Sequence, residues 1–118
     1  MPELPTNQIV PTARLDGDTI IAAVRGEIDL HNSPALRTAL LGAVNKYHPK
    51  KIILNLDLVP YMDSSAIAVL VETLQKLRKI GGKVVLTNLQ PRVKGLLEIA
   101  RLNTVFVLVA DEAEAMKA

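Results

Sequence analysis

The sequence predicts an α/β fold, a mixed and largely parallel β-sheet flanked by helices in the order ββαβαβαβα. Three observations carry that prediction. Short runs rich in Val, Ile and Leu alternate with longer stretches whose apolar residues recur every three or four positions. The run "KIILNLD" at 51–57 is apolar nearly throughout, as a central strand covered by helices must be. Gly, Pro, Ser and Asp fall at the joins between these segments, and strands separated by a helix are joined by crossovers that leave them parallel.

The elements follow in order. Residues 1–7, with Pro2 and Pro5, read as a loose lead-in to a single domain over 1–118. Strands are expected at 9–15 and 19–25, joined at Asp16-Gly17-Asp18, a tight-turn signal. "NSPALRTALLGAVNKY" reads as a helix with Ser33 as its cap, Pro34 at the first helical position, and a core face of Leu36, Leu40, Ala43, Val44 and Tyr47. After the 51–57 strand a second helix runs from about Ser64 to Ile80, stopped by Gly81-Gly82. "KVVLTN" is the next strand. Pro91 opens a third helix with Val93, Leu96, Leu97 and Ala100 inward. "TVFVLV" at 104–109 is the last strand, and "DEAEAMKA" a short helix with acids in its first turn.

Composition removes several function classes. A chain of 118 residues buries roughly two-thirds of its unfolded surface, enough for an unstapled core. Aromatics are only 3% against 49% apolar residues, so Leu, Ile, Val and Ala must build that core. The absence of cysteine excludes disulfides, thiolate metal sites and cysteine nucleophiles. The net charge of +2 is interspersed, with "PKK" at 49–51 as its one small cluster, and neither a basic stripe nor stacking aromatics supports nucleic-acid binding. "MPELPTNQIV" has no signal-peptide character, and the longest apolar runs, Ala66–Val71 and Val105–Ala110, are too short to cross a bilayer. The expectation is a cytoplasmic protein without direct membrane insertion.

The stretch with chemical content is "YMDSSAIAVLVE", residues 61–72, where a loop gives way to a helix. Asp63 is placed as N-cap. At 100° per residue, Ala68, Glu72, Lys76 and Lys79 fall within about 60° of Ser65, with Glu72 and Lys76 at ion-pairing spacing. Ile67, Leu70, Leu74 and Leu77 point the other way. Ser65 is therefore expected to face water and Ser64 to be half turned inward. A phosphate on an exposed serine there adds about −1.5 to −2 charges, which the helix dipole favours and Asp63 opposes. On local pattern alone, both serines also read as ordinary helix-start residues.

Three longer stretches carry a family resemblance: "RGEIDLHNSPALRTAL", "IILNLDLVPYMDSSAIAVLVETLQKLRKIGGKVVL" and "LQPRVKGLLEIARLNTVFVL". In order and spacing they resemble the STAS domain, specifically the bacterial anti-sigma-factor antagonists, from about residue 8 to residue 112. The resemblance implies a non-enzymatic partner switch. An anti-sigma factor that is also a serine kinase would phosphorylate the second serine of the D-S-S motif, here Ser65, and a serine phosphatase would reverse it. Asp29, Ser64, Ser65, Ala68 and Glu72 would form the docking surface, with Asp63 capping and orienting the site. The family commonly has glycine where this chain has Ala66 and Ala68, which stiffens the first helical turn by about 1 kcal/mol per position. The alternative is a STAS domain that only docks, in a signalling assembly or beside a transporter, without a phospho-switch.

The remaining candidates have plainer readings. Glu27 and Asp29 end the second strand on one side, without a histidine or metal cluster to make them an acid–base pair. His48 and the serines lie at opposite ends of a strand, roughly 20 Å apart, and His31 lacks an oxyanion hole, so a serine–histidine relay is not expected. "IGGK" ends a helix and is no phosphate loop. Arg92 and Lys94 read as solvated. No cofactor and no metal are expected.

Overall fold

The computed structural model describes residues 4–118. Gly17 adopts φ +61°, which lets a two-residue turn bring Asp16 opposite Thr19. Strands β1 (Thr12–Asp16) and β2 (Thr19–Arg25) pair antiparallel across it. The first strand starts three residues later than the sequence suggested. Asn7 Oδ1 accepts the N–H groups of Ile9 and Val10, both at 2.9 Å, which bends the chain there, and Pro11 has no N–H for a ladder. Residues 4–7 of the expected loose lead-in are tied down: Leu4 is buried and donates its N–H to Ala13 O, while the Asn7 amide donates to Ala35 O. Residues 1–3 of that segment lie outside the described residues.

Helix α1 (Ser33–Tyr47) buries Leu36, Leu40, Leu41 and Val44, with Ala43 and Tyr47 half-buried beside them. Ser33 is not its cap. Asn32 holds that position, yet its side chain turns back to the preceding loop, and Asp29 O accepts the Ser33 N–H at 2.8 Å. Ser33 is instead the buried first residue of the helix. His48 ends the helix in a left-handed conformation, φ 47°.

The parallel strands β3 (Lys51–Leu58) and β4 (Lys83–Thr87) flank α2 (Ser64–Arg78) in sequence. The expected glycine stop holds: Gly81 takes φ +77° and the Gly82 N–H reaches back to Leu77 O at 2.7 Å. Helix α3 (Pro91–Ile99) buries Val93 and Leu97, half-buries Leu96 and leaves Ala100 exposed. Strand β5 (Val107–Val109) is half the predicted length. Both Val105 and Phe106 donate to Leu102 O in a turn that drives Phe106 into the core, so pairing with β4 begins only at Val107. Helix α4 (Glu112–Lys117) is capped by Asp111, whose carboxylate accepts the Glu114 N–H.

The five strands lie in sequence order, β1-β2-β3-β4-β5, and every pair after the first is parallel. Even-numbered residues of the central strands, such as Ile20, Ile52, Leu54, Val84 and Leu86, share one core with α1, α2 and α3. Three crossovers over the same face must keep the same hand, so each advances the sheet by one strand in the same direction. Odd-numbered Ile21, Ile53 and Val85 form a smaller core on the other face, covered by Ala115 of α4. Lys51 fastens that cover by donating to Ala115 O and Met116 O, and the Arg14–Glu112 pair at 2.8 Å ties it to β1. The mixed α/β architecture and element order agree with the prediction. Its consequence is that α1, α2 and α3 all begin at the carboxyl edge of the parallel strands, where ligand and partner sites of open α/β sheets gather.

Candidate functional site

At that edge the loop after β2 and the loop after β3 are sewn together. Ile28 and Met62 form an isolated parallel bridge, with the Ile28 N–H donating to Tyr61 O and the Asp63 N–H to Ile28 O. Both Ile28 and Met62 are buried, so two apolar side chains anchor a junction whose flanking residues remain near the surface. The serine motif is thereby fixed against a second loop on its amino-terminal side.

Asp63 is the expected cap of α2, in extended conformation with its carboxylate turned onto the helix start. One oxygen, Oδ1, accepts the Ser65 N–H at 2.9 Å, the Ala66 N–H at 3.3 Å and the Ser65 hydroxyl at 2.5 Å. The Ser65 hydroxyl, above all, holds the Asp63 carboxyl below the usual carboxylate range, and the backbone N–H groups of Ala66, Ser65 and Leu30 add to that against an opposing desolvation. Asp63 therefore orients the Ser65 side chain as well as the helix. Having donated its proton inward, the Ser65 oxygen accepts no hydrogen bond among the described residues.

The exposure of the two serines is the reverse of the expectation. Ser64 is exposed and Ser65 half-buried. The buried side of α2 is Ala66, Val69, Leu70, Thr73, Leu74 and Leu77, rotated by roughly 50° from the Ile67–Leu70–Leu74–Leu77 direction read in the sequence. The face read in the sequence leaves out Ala66, Val69 and Thr73, of which Thr73 alone is polar. Its hydroxyl donates to Val69 O at 2.8 Å, so a residue that reads as polar is wholly buried. Ser65 consequently sits half-buried on the flank of the helix.

The other candidate residues divide between surface and scaffold. Ala68 is exposed, as expected. Glu72 is not paired with Lys76: the Arg37 guanidinium of α1 takes both its oxygens, Nε–Oε1 at 3.0 Å and Nη2–Oε2 at 2.9 Å. That fork holds the Glu72 carboxyl below its ordinary range and clips α1 to α2. Asp29 is exposed but occupied, accepting the N–H groups of His31 and Asn32 in a turn closed by Asn32 Oδ1. Glu27 lies beyond the end of β2, separated from it by Gly26 at φ +89°. His48 sits at the far end of α1, and His31 is exposed in the Asp29 turn; neither makes a hydrogen bond to Ser64 or Ser65 among the described residues.

Two features escaped the sequence. Arg92 is not simply solvated, because its guanidinium stacks 4.4 Å from the centre of the Tyr61 ring and joins α3 to the loop before Asp63. Leu30 and Leu58 stand 76% and 61% exposed at the same edge, next to charged Asp29 and Asp57. A run of alternating apolar and acidic residues gives no sign of which leucines find a core. Leu30 lies past β2 in the turn that Asp29 and Asn32 close before α1, and Leu58 is the last residue of β3, so neither is carried into a core. None of the helices is long and apolar enough among the described residues to cross a membrane.

Comparison with known proteins agrees with this geometry. The family model of the STAS domain matches residues 10–115. An anti-sigma-B factor antagonist of Listeria monocytogenes is 35% identical over 102 residues, covering 84% of this chain and 86% of that protein. A crystal structure of an anti-sigma factor antagonist from Mycobacterium paratuberculosis superposes with a TM-score of 0.79 at 24% identity, over 89% of this chain and 88% of that one. The Bacillus cell fate determinant SpoIIAA in its phosphorylated form superposes with a TM-score of 0.71 at 22% identity, over 90% and 96%.

Proposed function

Because the chain belongs to the STAS domain family, we propose that it is an anti-sigma-factor antagonist that works in the cytoplasm by phosphorylation-controlled partner switching. In the unmodified state its carboxyl-edge surface, with Asp29, Ser64, Ser65, Ala68 and Glu72, docks an anti-sigma factor that is also a serine kinase. That kinase transfers phosphate from ATP to Ser65, and a serine phosphatase removes it. The protein is the substrate of this chemistry and not its catalyst.

One observation carries the reading: the half-buried Ser65 hydroxyl donates to Asp63 Oδ1 at a helix start, and its oxygen accepts no hydrogen bond among the described residues. A hydroxyl fixed in this way presents its lone pairs to an incoming phosphoryl group without first having to be oriented. After transfer, Asp63 loses its hydroxyl donor and gains a dianion two residues away. The two like charges repel, and the phosphate must swing outward across the docking surface. An apolar or acidic partner surface is then expelled, because a buried charge without a partner costs several kcal/mol. The Arg37–Glu72 clip holds the surface's far end in place throughout, so the switch changes charge and bulk while the backbone stays.

The half-burial of Ser65 beside exposed Ser64 makes a sharp test available. Incubation with the partner kinase and ATP, followed by peptide mapping, should label wild type and Ser64→Ala but not Ser65→Ala. Ser65→Asp should bind the kinase much more weakly than wild type. If Ser65→Asp keeps full affinity, the protein is instead a docking domain without a switch, the reading that Ala66 and Ala68 favour by stiffening the turn.

A further inference from the structure

On the opposite side of α1 from the clip lies a cavity of about 220 Å³, between the helix, the β1–β2 hairpin and the strap formed by residues 4–7. Its lining includes none of residues 61–72. Leu4, Val10, Ile20, Ala22 and Leu40 make the buried floor. Two of the polar groups in its lining are spent elsewhere, the Asn7 amide on Ala35 O and the Thr38 hydroxyl on Pro34 O; Thr6, Lys46 and Tyr47 are the other polar residues there. A water molecule needs two to four polar partners, and the side chains of this floor offer none. The volume exceeds that of the dry cavities of about 150 Å³ that take up benzene, and falls short of the ~300 Å³ of drug-sized pockets.

Two residues at the edge give the cavity a character that packing alone does not require. Gly42 stands in the middle of α1 with helical φ, and a Cβ there would meet nothing within 4 Å. No close approach and no unusual backbone demands the glycine, whose cost to the helix leaves open space beside the apolar floor. Lys46, one turn further on, is exposed, and its ammonium lies 5.4 Å from the centre of the Tyr47 ring. No carboxylate pairs with it among the described residues. An apolar hollow with one free cation at its rim complements a molecule with an apolar tail and an anionic head.

We infer that this cavity binds a medium-chain acyl carboxylate, with the tail against Val10, Ile20, Ala22 and Leu40 and the carboxylate at Lys46. Its occupant fills space that the aromatic-poor core leaves empty, so binding stabilises the hairpin–α1 layer. The site is independent of Ser65 and stands whether or not that residue is phosphorylated.

The test uses the full chain, uniformly labelled, titrated with octanoate below its micelle concentration and followed by amide NMR shifts. Saturable shifts are expected at Ala13, Ala22, Leu40, Gly42 and Tyr47, with Ser64 and Ser65 unmoved. Lys46→Met should weaken octanoate by about threefold, as befits an exposed charge pair, and leave 1-octanol unchanged. Gly42→Leu removes a helical glycine and so should fold at least as well, while blocking both ligands. Shifts that fail to saturate, that map to the 61–72 turn, or that persist in Gly42→Leu would overturn the site. Octylammonium binding as tightly as octanoate would overturn the anionic head.

Discussion

Replacing Ala66 or Ala68 by glycine separates helix stiffness from burial at the switch. Both changes relax the first turns of α2, at up to about 1 kcal/mol each from helix propensity. They differ in what the methyl touches. Ala68 is exposed, so propensity is its whole contribution, whereas Ala66 is 0% exposed and its methyl adds about 0.8 kcal/mol of buried apolar contact. The expected losses are about 1 kcal/mol for Ala68→Gly and about 1.8 kcal/mol for Ala66→Gly. At about 2.1 cal/mol/K per residue, a chain of 118 residues unfolds with an entropy near 0.25 kcal/mol/K. Tm should therefore fall by roughly 4 °C and 7 °C respectively by calorimetry. Each variant should also be phosphorylated faster than wild type, because the kinase draws a looser turn into its active site. Equal Tm losses would refute the buried placement of Ala66, and unchanged phosphorylation rates would refute the stiffness argument.

Three further outcomes follow from the same geometry. Asp63 and Glu72 both have carboxyls below their ordinary range, the first through the Ser65 hydroxyl and the second through Arg37. A carboxyl whose folded pKa lies below its unfolded one stabilises fully above that unfolded value, and the stabilisation is lost as pH falls through the folded one. Urea unfolding of Asp63→Asn should thus lose less stability than wild type below pH ~4, and parallel pH profiles would contradict the cap. Ile53→Ala opens the smaller core under α4 and should cost about 2–5 kcal/mol, with faster amide exchange in β3 and α4. Gly82→Ala would press a Cβ to 3.1 Å from Lys50 O and 3.2 Å from both Leu77 O and Pro49 O, costing about 1–3 kcal/mol in denaturant melts.

The fold was legible because its signals are local and redundant. Gly17 and Gly81 each sit where φ must be positive, and the strand "KIILNLD" carries its two-sided burial in its own composition. Failures came where one side chain satisfied itself. Asn7 folds onto the N–H groups of Ile9 and Val10 and shortens β1. The Thr73 hydroxyl bonds its own helix and so joins Ala66 and Val69 on a core face that the sequence reading placed elsewhere, which misplaced Ser64 and Ser65. Partners across helices were illegible for a different reason: spacing offers Glu72 the neighbour Lys76, while the packing of α1 on α2 supplies Arg37, 35 residues away. The Tyr61–Arg92 stack is of the same kind. Asp63, by contrast, announced itself, since an acid before a serine-led apolar run has one economical conformation.

The most direct measurement is the intact mass and phosphopeptide map of the protein after reaction with its partner kinase and ATP, paired with a binding assay on the product. A single phosphate on Ser65, together with loss of kinase binding that phosphatase treatment restores, is the predicted result. A phosphate on Ser64 instead, or a Ser65-phosphorylated protein that still binds, would contradict the account.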